Sequence, residues 1–71
     1  QGNNAMIIQV NGENKQVADH ITVGDLLRSN VLDPAKVVVE VNLQIVKRDA
    51  FDSSLLHDND KVEILRFVGG G

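Results

Sequence analysis

Few groups in this 71-residue sequence could do chemistry, and the most suggestive one is not a side chain. The sequence ends on Gly69-Gly70-Gly71, directly after an apolar run. Three glycines are costly to order and add nothing to a core. Extended, they project the terminal carboxylate on the order of 10 Å beyond Val68, at ~3.3–3.6 Å per residue. Without Cβ atoms they can enter a slot too narrow for any other residue. A frayed tail or the start of a linker is the plain alternative. The strand pattern immediately before the glycines favours an end held at its base and free at its tip.

The side chains offer less. His20 and His57 are the usual proton-transfer candidates, but they fall in loops with no neighbouring Ser/Asp arrangement, so neither is assigned a catalytic role. There is no cysteine, which excludes a disulfide scaffold, a thiolate metal site and a cysteine nucleophile. Small secreted domains usually need such staples, so a cytoplasmic location is expected. Asp58-x-Asp60 lacks the further ligands of a calcium loop, and turn capping is the preferred role. Neither a bound metal nor a bound cofactor is therefore expected. Seven basic against ten acidic residues give a net charge of −3, with Phe51 and Phe67 as the aromatics. A nucleic-acid binder shows a basic excess and stacking aromatics, and Lys47-Arg48 is too short for such a patch. No stretch approaches the ~20 apolar residues of a membrane helix.

These features rest on one small domain with an aliphatic core of Val, Ile and Leu. Residues 1–5 are polar and patternless and are read as a cloning remnant before Met6; residues 6–68 form the domain and 69–71 a flexible tail. Residues 6–10 read as a strand, Asn11-Gly12 as a type I′ hairpin turn, and 13–17 as a polar edge strand. Thr22, with Asp25 three residues on, reads as a capping box opening a helix over 23–30, whose stripe is Val23, Leu26 and Leu27. Asn30 ends it, and Asp33-Pro34 blocks continuation. Residues 37–41 suit an interior strand, 42–44 a weak turn, and 45–46 a short strand. Phe51, Leu55 and Leu56 peg down an irregular or 3₁₀ segment; 58–60 is a turn, and 61–68 the last strand. The expected fold is α+β: a mixed four- to five-stranded sheet with one short helix packed across one face. The first and last strands are expected to pair in parallel, the helix lying in the crossover.

Alternation along the last strand puts Val62, Ile64, Arg66 and Val68 on one side and Glu63, Leu65 and Phe67 on the other. Val62 and Ile64 face the core; Leu65 and Phe67 then lie on the open face beside the terminus, where an apolar pair suits a partner. Arg66 either pairs with an acidic groove of a partner or is solvated. Leu65, Arg66, Phe67 and Val68 are the candidate partner-binding residues.

Strand–NG–strand, T-V-x-x-L-L on a helix, V-V-E-V-N, then Asp58-x-Asp60-x-Val62-Glu63-Ile64 and a terminal Gly-Gly form a recognisable order. Over residues 6–71 the chain resembles the bacterial sulfur-carrier proteins of the ubiquitin-like β-grasp superfamily, and among them the ThiS family of the thiamine pathway. It departs from the family's pattern in the extra Gly69 and in Asn42-Leu43, where relatives often have Asn-Gly.

The resemblance implies a protein cosubstrate rather than an enzyme. The Gly71 carboxyl, ionised at neutral pH with a reference pKa of about 3.3–3.7, is a poor electrophile. A ThiF-like adenylylating enzyme would activate it with ATP and Mg²⁺. A cysteine desulfurase or other persulfide donor would supply sulfur, giving a thiocarboxylate on Gly71, and a ThiG-like thiazole synthase would receive it. Gly69, Gly70 and Gly71 would enter the partner's active site. The lack of cysteine fits, since no side chain could carry the sulfur. Molybdopterin synthesis and cysteine or other thiometabolite routes use related carriers, and a β-grasp binding module with an inert tail is the alternative from another class.

Overall fold

The computed structural model describes residues 5–67. Strand β1 (Ala5–Val10) and strand β2 (Glu13–Ala18) form an antiparallel hairpin, in register from Val10 opposite Glu13 to Ala5 opposite Ala18. The sheet thus begins one residue before Met6. Asn11 (φ 50°) and Gly12 (φ 85°) both take the left-handed conformation a type I′ turn demands. Alternation in β1 buries Met6, Ile8 and Val10. The polar β2 lies at the sheet edge.

Helix α1 (Val23–Ser29) starts with the capping box anticipated above. The Asp25 amide donates to Thr22 Oγ1 and the Thr22 amide to Asp25 Oδ2, each at 3.0 Å. These bonds satisfy two of the donors a helix start leaves open. Val23, Leu26 and Leu27 are buried. Asn30 caps the helix rather than extending it. Beyond it, the Val31 amide reaches the Arg28 carbonyl at 3.1 Å and the Leu32 amide the Leu27 carbonyl at 2.9 Å. That is a Schellman closure with Val31 at φ 56° in the position glycine usually takes. Gly24 faces the 3₁₀ turn Arg48–Ser53, where a Cβ would displace only the exposed Asp52 carboxylate from its place beside Arg28.

A short 3₁₀ turn (Pro34–Lys36), capped by the Asp33 side chain, leads into strand β3 (Val37–Val41). Strand β4 (Gln44–Val46) is one residue longer than expected. The segment after it carries Phe51 and Leu56 inward. Leu55 does not join them and is half exposed. The cause is a local strand-like bridge: Leu55 opposes Thr22, the Val23 amide bonds the Ser54 carbonyl, and the Leu56 amide bonds the Ile21 carbonyl. Extended backbone alternates its side chains, so inward Leu56 forces outward Leu55.

Strand β5 (Lys61–Arg66) completes a five-stranded sheet in the order β2-β1-β5-β3-β4. It runs parallel to β1 and antiparallel to β3, with Val62 and Ile64 buried. The strand ends at Arg66, short of Phe67, where its partner passes into a 3₁₀ turn; Val68 lies outside the described residues. Arg66 opposes Val37, the first residue of β3, and Lys36 before it is in the 3₁₀ turn.

Candidate functional site

Strand β5 is the beam on which the C-terminal residues are mounted, and its fastening can be followed bond by bond. Toward β1, the Gln9 amide donates to the Asp60 carbonyl and the Asn11 amide to the Val62 carbonyl, both at 2.9 Å. Toward β3, the Asn42 amide donates to the Lys61 carbonyl at 2.8 Å and the Phe67 amide to the Lys36 carbonyl at 2.9 Å.

Two asparagine side chains supplement this ladder. At the leading end, Asn42 Oδ1 accepts from the Lys61 amide at 3.0 Å, and Asn42 Nδ2 donates to Asp60 Oδ1 at 2.9 Å. At the trailing end, Asn11 Oδ1 accepts from the Ile64 amide at 2.7 Å, and Asn11 Nδ2 donates to the Ile64 carbonyl at 3.2 Å. From the sequence alone both asparagines read as turn residues only. The available signal was the residue type: asparagine tolerates positive φ and carries both a donor and an acceptor.

The faces of β5 follow the expected alternation. Leu65 and Phe67 are each 59% exposed on the sheet face away from α1, and Leu65 opposes Val38 of β3. On the same face Glu63 opposes Glu40. Arg66 is exposed and makes no salt bridge among the described residues. Val68, Gly69, Gly70 and Gly71, to which partner contact and the reactive end were assigned, lie outside the described residues.

The titratable groups gather elsewhere. His20 Nε2 stands 3.2 Å from Asp19 Oδ2 on an exposed loop. Asp60 caps the turn after His57, accepting from the His57 amide at 2.8 Å, while Asp58 accepts from the Ile7 amide at 2.8 Å. Asp60 thus caps its turn as expected, whereas Asp58 ties the turn to β1, 51 positions away, instead of capping it. Among the described residues no three His, Cys, Asp or Glu side chains converge as a metal site. An open groove of about 400 Å³ lies between His20, His57 and Leu55, and one of about 310 Å³ between β4 and Ser54. Neither is lined by Leu65, Arg66 or Phe67. On α1, the backbone bond from Thr22 and the Arg28 guanidinium hold the Asp25 carboxyl below its usual range. Asp25 and Asp52, each 3.0 Å from Arg28, raise the guanidinium in turn.

The model of the ThiS family matches residues 8–71. The chain belongs to the ThiS family. The sulfur carrier protein ThiS of Bacillus subtilis is 39% identical over 66 residues, covering 92% of this chain and 100% of that protein. The crystal structure of a thiamine biosynthesis protein (ThiS) from Geobacter metallireducens superposes with a TM-score of 0.79 at 39% identity, covering 93% of this chain and all of that one. This family likeness makes the five-stranded sheet with its single helix the ubiquitin-like β-grasp fold anticipated from the sequence. A thiazole synthase of Paramagnetospirillum magneticum is also 39% identical over 66 residues. The chain spans 93% of itself in that match but only 20%, about a fifth, of the relative's length.

Proposed function

We propose that this chain is a sulfur carrier for thiamine biosynthesis, a protein cosubstrate acted on by partner enzymes. The observation that carries the reading is the end-to-end match to the Bacillus carrier, with β5 running toward Gly69-Gly70-Gly71 at the centre of the sheet. In this reading the Gly71 carboxylate attacks the α-phosphorus of ATP in an adenylylating partner, with Mg²⁺ neutralising the phosphates, and pyrophosphate leaves. The terminal sulfur of a persulfide, made by a cysteine desulfurase or another donor, then displaces AMP. A thiol cleaves the resulting acyl disulfide, taking up the sulfur donor's residue as a disulfide and freeing the thiocarboxylate. The chain itself supplies no acid, base or metal; it supplies a carboxyl group at a defined place.

A thiazole synthase is the proposed acceptor. Its support is the set of longer thiazole synthases in which a segment like this chain makes up a fifth of the polypeptide. The partner face is assigned to Leu65 and Phe67, whose exposure beside the tail supports it, flanked by Arg66 and Val68. No described helix is long and apolar enough to cross a membrane, and a cysteine-free domain of this size suits the cytoplasm.

Intact-mass measurement tests the reading. After incubation with ATP, Mg²⁺, the cognate activating enzyme and a persulfide source, the protein should gain the mass difference of one oxygen-to-sulfur exchange, confined to Gly71. An unchanged mass with a demonstrably active partner set overturns it. So does a native protein whose mature form extends past Gly71.

A further inference from the structure

We propose that Asn11 is a positioning residue for the C-terminal end: its side chain continues the β1–β5 ladder past the point where β1 turns away, and so fixes the direction in which the chain leaves the sheet. The proposal rests on the carrier reading above.

The geometry is regular. Donors from the β1 side meet the carbonyls of Asp60, just before β5, and of Val62 and Ile64 within it, every second residue. The first two donors are backbone amides of Gln9 and Asn11; the third is Asn11 Nδ2. The backbone could not supply a third rung, because Asn11 and Gly12 have swung into the hairpin turn. Without Asn11, the inward-facing Ile64 would leave its N–H and C=O unpaired on that side. The carboxamide is the side-chain group that copies a peptide unit, with one acceptor and a donor in a single plane. Both bonds are partly shielded from water, which raises the penalty for losing them.

The trailing end of β5 is consequently gripped on both sides, by Asn11 at Ile64 and by the Lys36 carbonyl at Phe67. Leu65 lies between these grips and Phe67 carries the second, so the docking pair keeps its tie to Lys36 while the bonds at Ile64 set the exit direction. A partner that docks on that pair then meets the following residues in a preset direction. This is the form in which orientation contributes to rate rather than to affinity.

The test compares the full chain with Asn11→Gly and Asn11→Asp. Glycine keeps the left-handed turn and removes both side-chain bonds. Aspartate keeps the acceptor for the Ile64 amide and removes the donor. The first readout is amide hydrogen exchange at Ile64, which reports local opening without any partner. Protection should fall about tenfold or more in Asn11→Gly and be partly restored in Asn11→Asp, at a few degrees' change in Tm. The second is ATP–pyrophosphate exchange with the activating enzyme. Asn11→Gly should lower kcat about five- to tenfold with KM within about twofold, a split a merely structural role would not produce.

Wild-type kcat in a folded Asn11→Gly whose Ile64 amide has lost its protection overturns the proposal. An Ile64 amide unprotected in the wild type also overturns it, and that measurement stands even if neither variant folds. Absence of exchange activity with the wild type instead sinks the carrier reading, while the Ile64 readout still decides whether the grip exists.

Discussion

At its leading end β5 meets the β3–β4 turn, and at its trailing end the β1–β2 turn. In both an asparagine near φ 50° reaches sideways to the strand. The residue that follows differs. After Asn11 comes Gly12, at ease at φ 85°; after Asn42 comes Leu43, forced to φ 71° and 89% exposed. An L-residue in that region is disfavoured by roughly 1–2 kcal/mol. The leading turn holds its shape because Asn42, Lys61, Asp60 and the His57 amide form one connected polar network. Among the described residues the trailing turn has no such network, and the side chain of its asparagine bonds Ile64 alone. One device therefore anchors the strand where it begins and aims it where it ends.

That contrast can be broken most directly at Asp60. Asp60→Ala removes acceptors for the His57 amide and for Asn42, and should lower stability by about 2–3 kcal/mol in urea denaturation. Partner affinity per folded molecule should be unchanged, because the loss is confined to the leading end. Phe67→Ala should do the opposite. Binding of the activating enzyme, followed by titration calorimetry, should weaken about tenfold or more, as for an exposed aromatic anchor. The melting temperature should barely move; a large drop would make Phe67 part of the core and end the distinction between the two ends.

The turns themselves sharpen the comparison. Leu43→Gly relieves the left-handed strain but enlarges the unfolded ensemble, for a net gain of about 0.5–1 kcal/mol. Gly12→Ala should lose about 1 kcal/mol, since it imports at the trailing end the strain already present at the leading one. Equal effects of the same sign in thermal melts would show that the two turns are not related in this way.

The smallest effect belongs to a site remote from both ends. The folded-state pKa of Asp25 is depressed by the Thr22 amide and by Arg28, so its contribution is present above the unfolded value, about 3.9. It is lost as pH falls through the lower folded value. Asp25→Asn should therefore flatten the acid limb of the stability profile and leave β5 untouched. An unchanged acid limb would show that the capping box carries no pH dependence.

What could be read from the sequence follows from the range of the interactions involved. The type I′ turn at Asn11-Gly12, the Thr22–Asp25 box and the alternating strands are encoded within a few residues, and each appears where expected. The parallel β1–β5 pair followed from helix placement and chain connectivity. What escaped is long-range: the Asn11 bond to Ile64 spans 53 positions and the Asn42 bond to Lys61 spans 19. Leu43 and Val31 at positive φ run against residue preference; the two-residue β3–β4 hairpin demands the first and the Schellman closure of α1 the second. Leu55 points outward because its direction is set by a bridge to Thr22. The faces of Leu65 and Phe67 were legible because period-2 alternation survives to the end of the strand.

The strand in the middle of the sheet comes after the other four in the sequence. On a translating ribosome, β1 and β3 share no neighbour until β5 emerges, and closing that long loop yields no reward before then. A nascent chain interrupted before β5 thus has two unjoined hairpins instead of a sheet. Under the proposed carrier role, a partner that recognises the finished surface would be spared decoys, because Gly69-Gly70-Gly71 are synthesised only after β5.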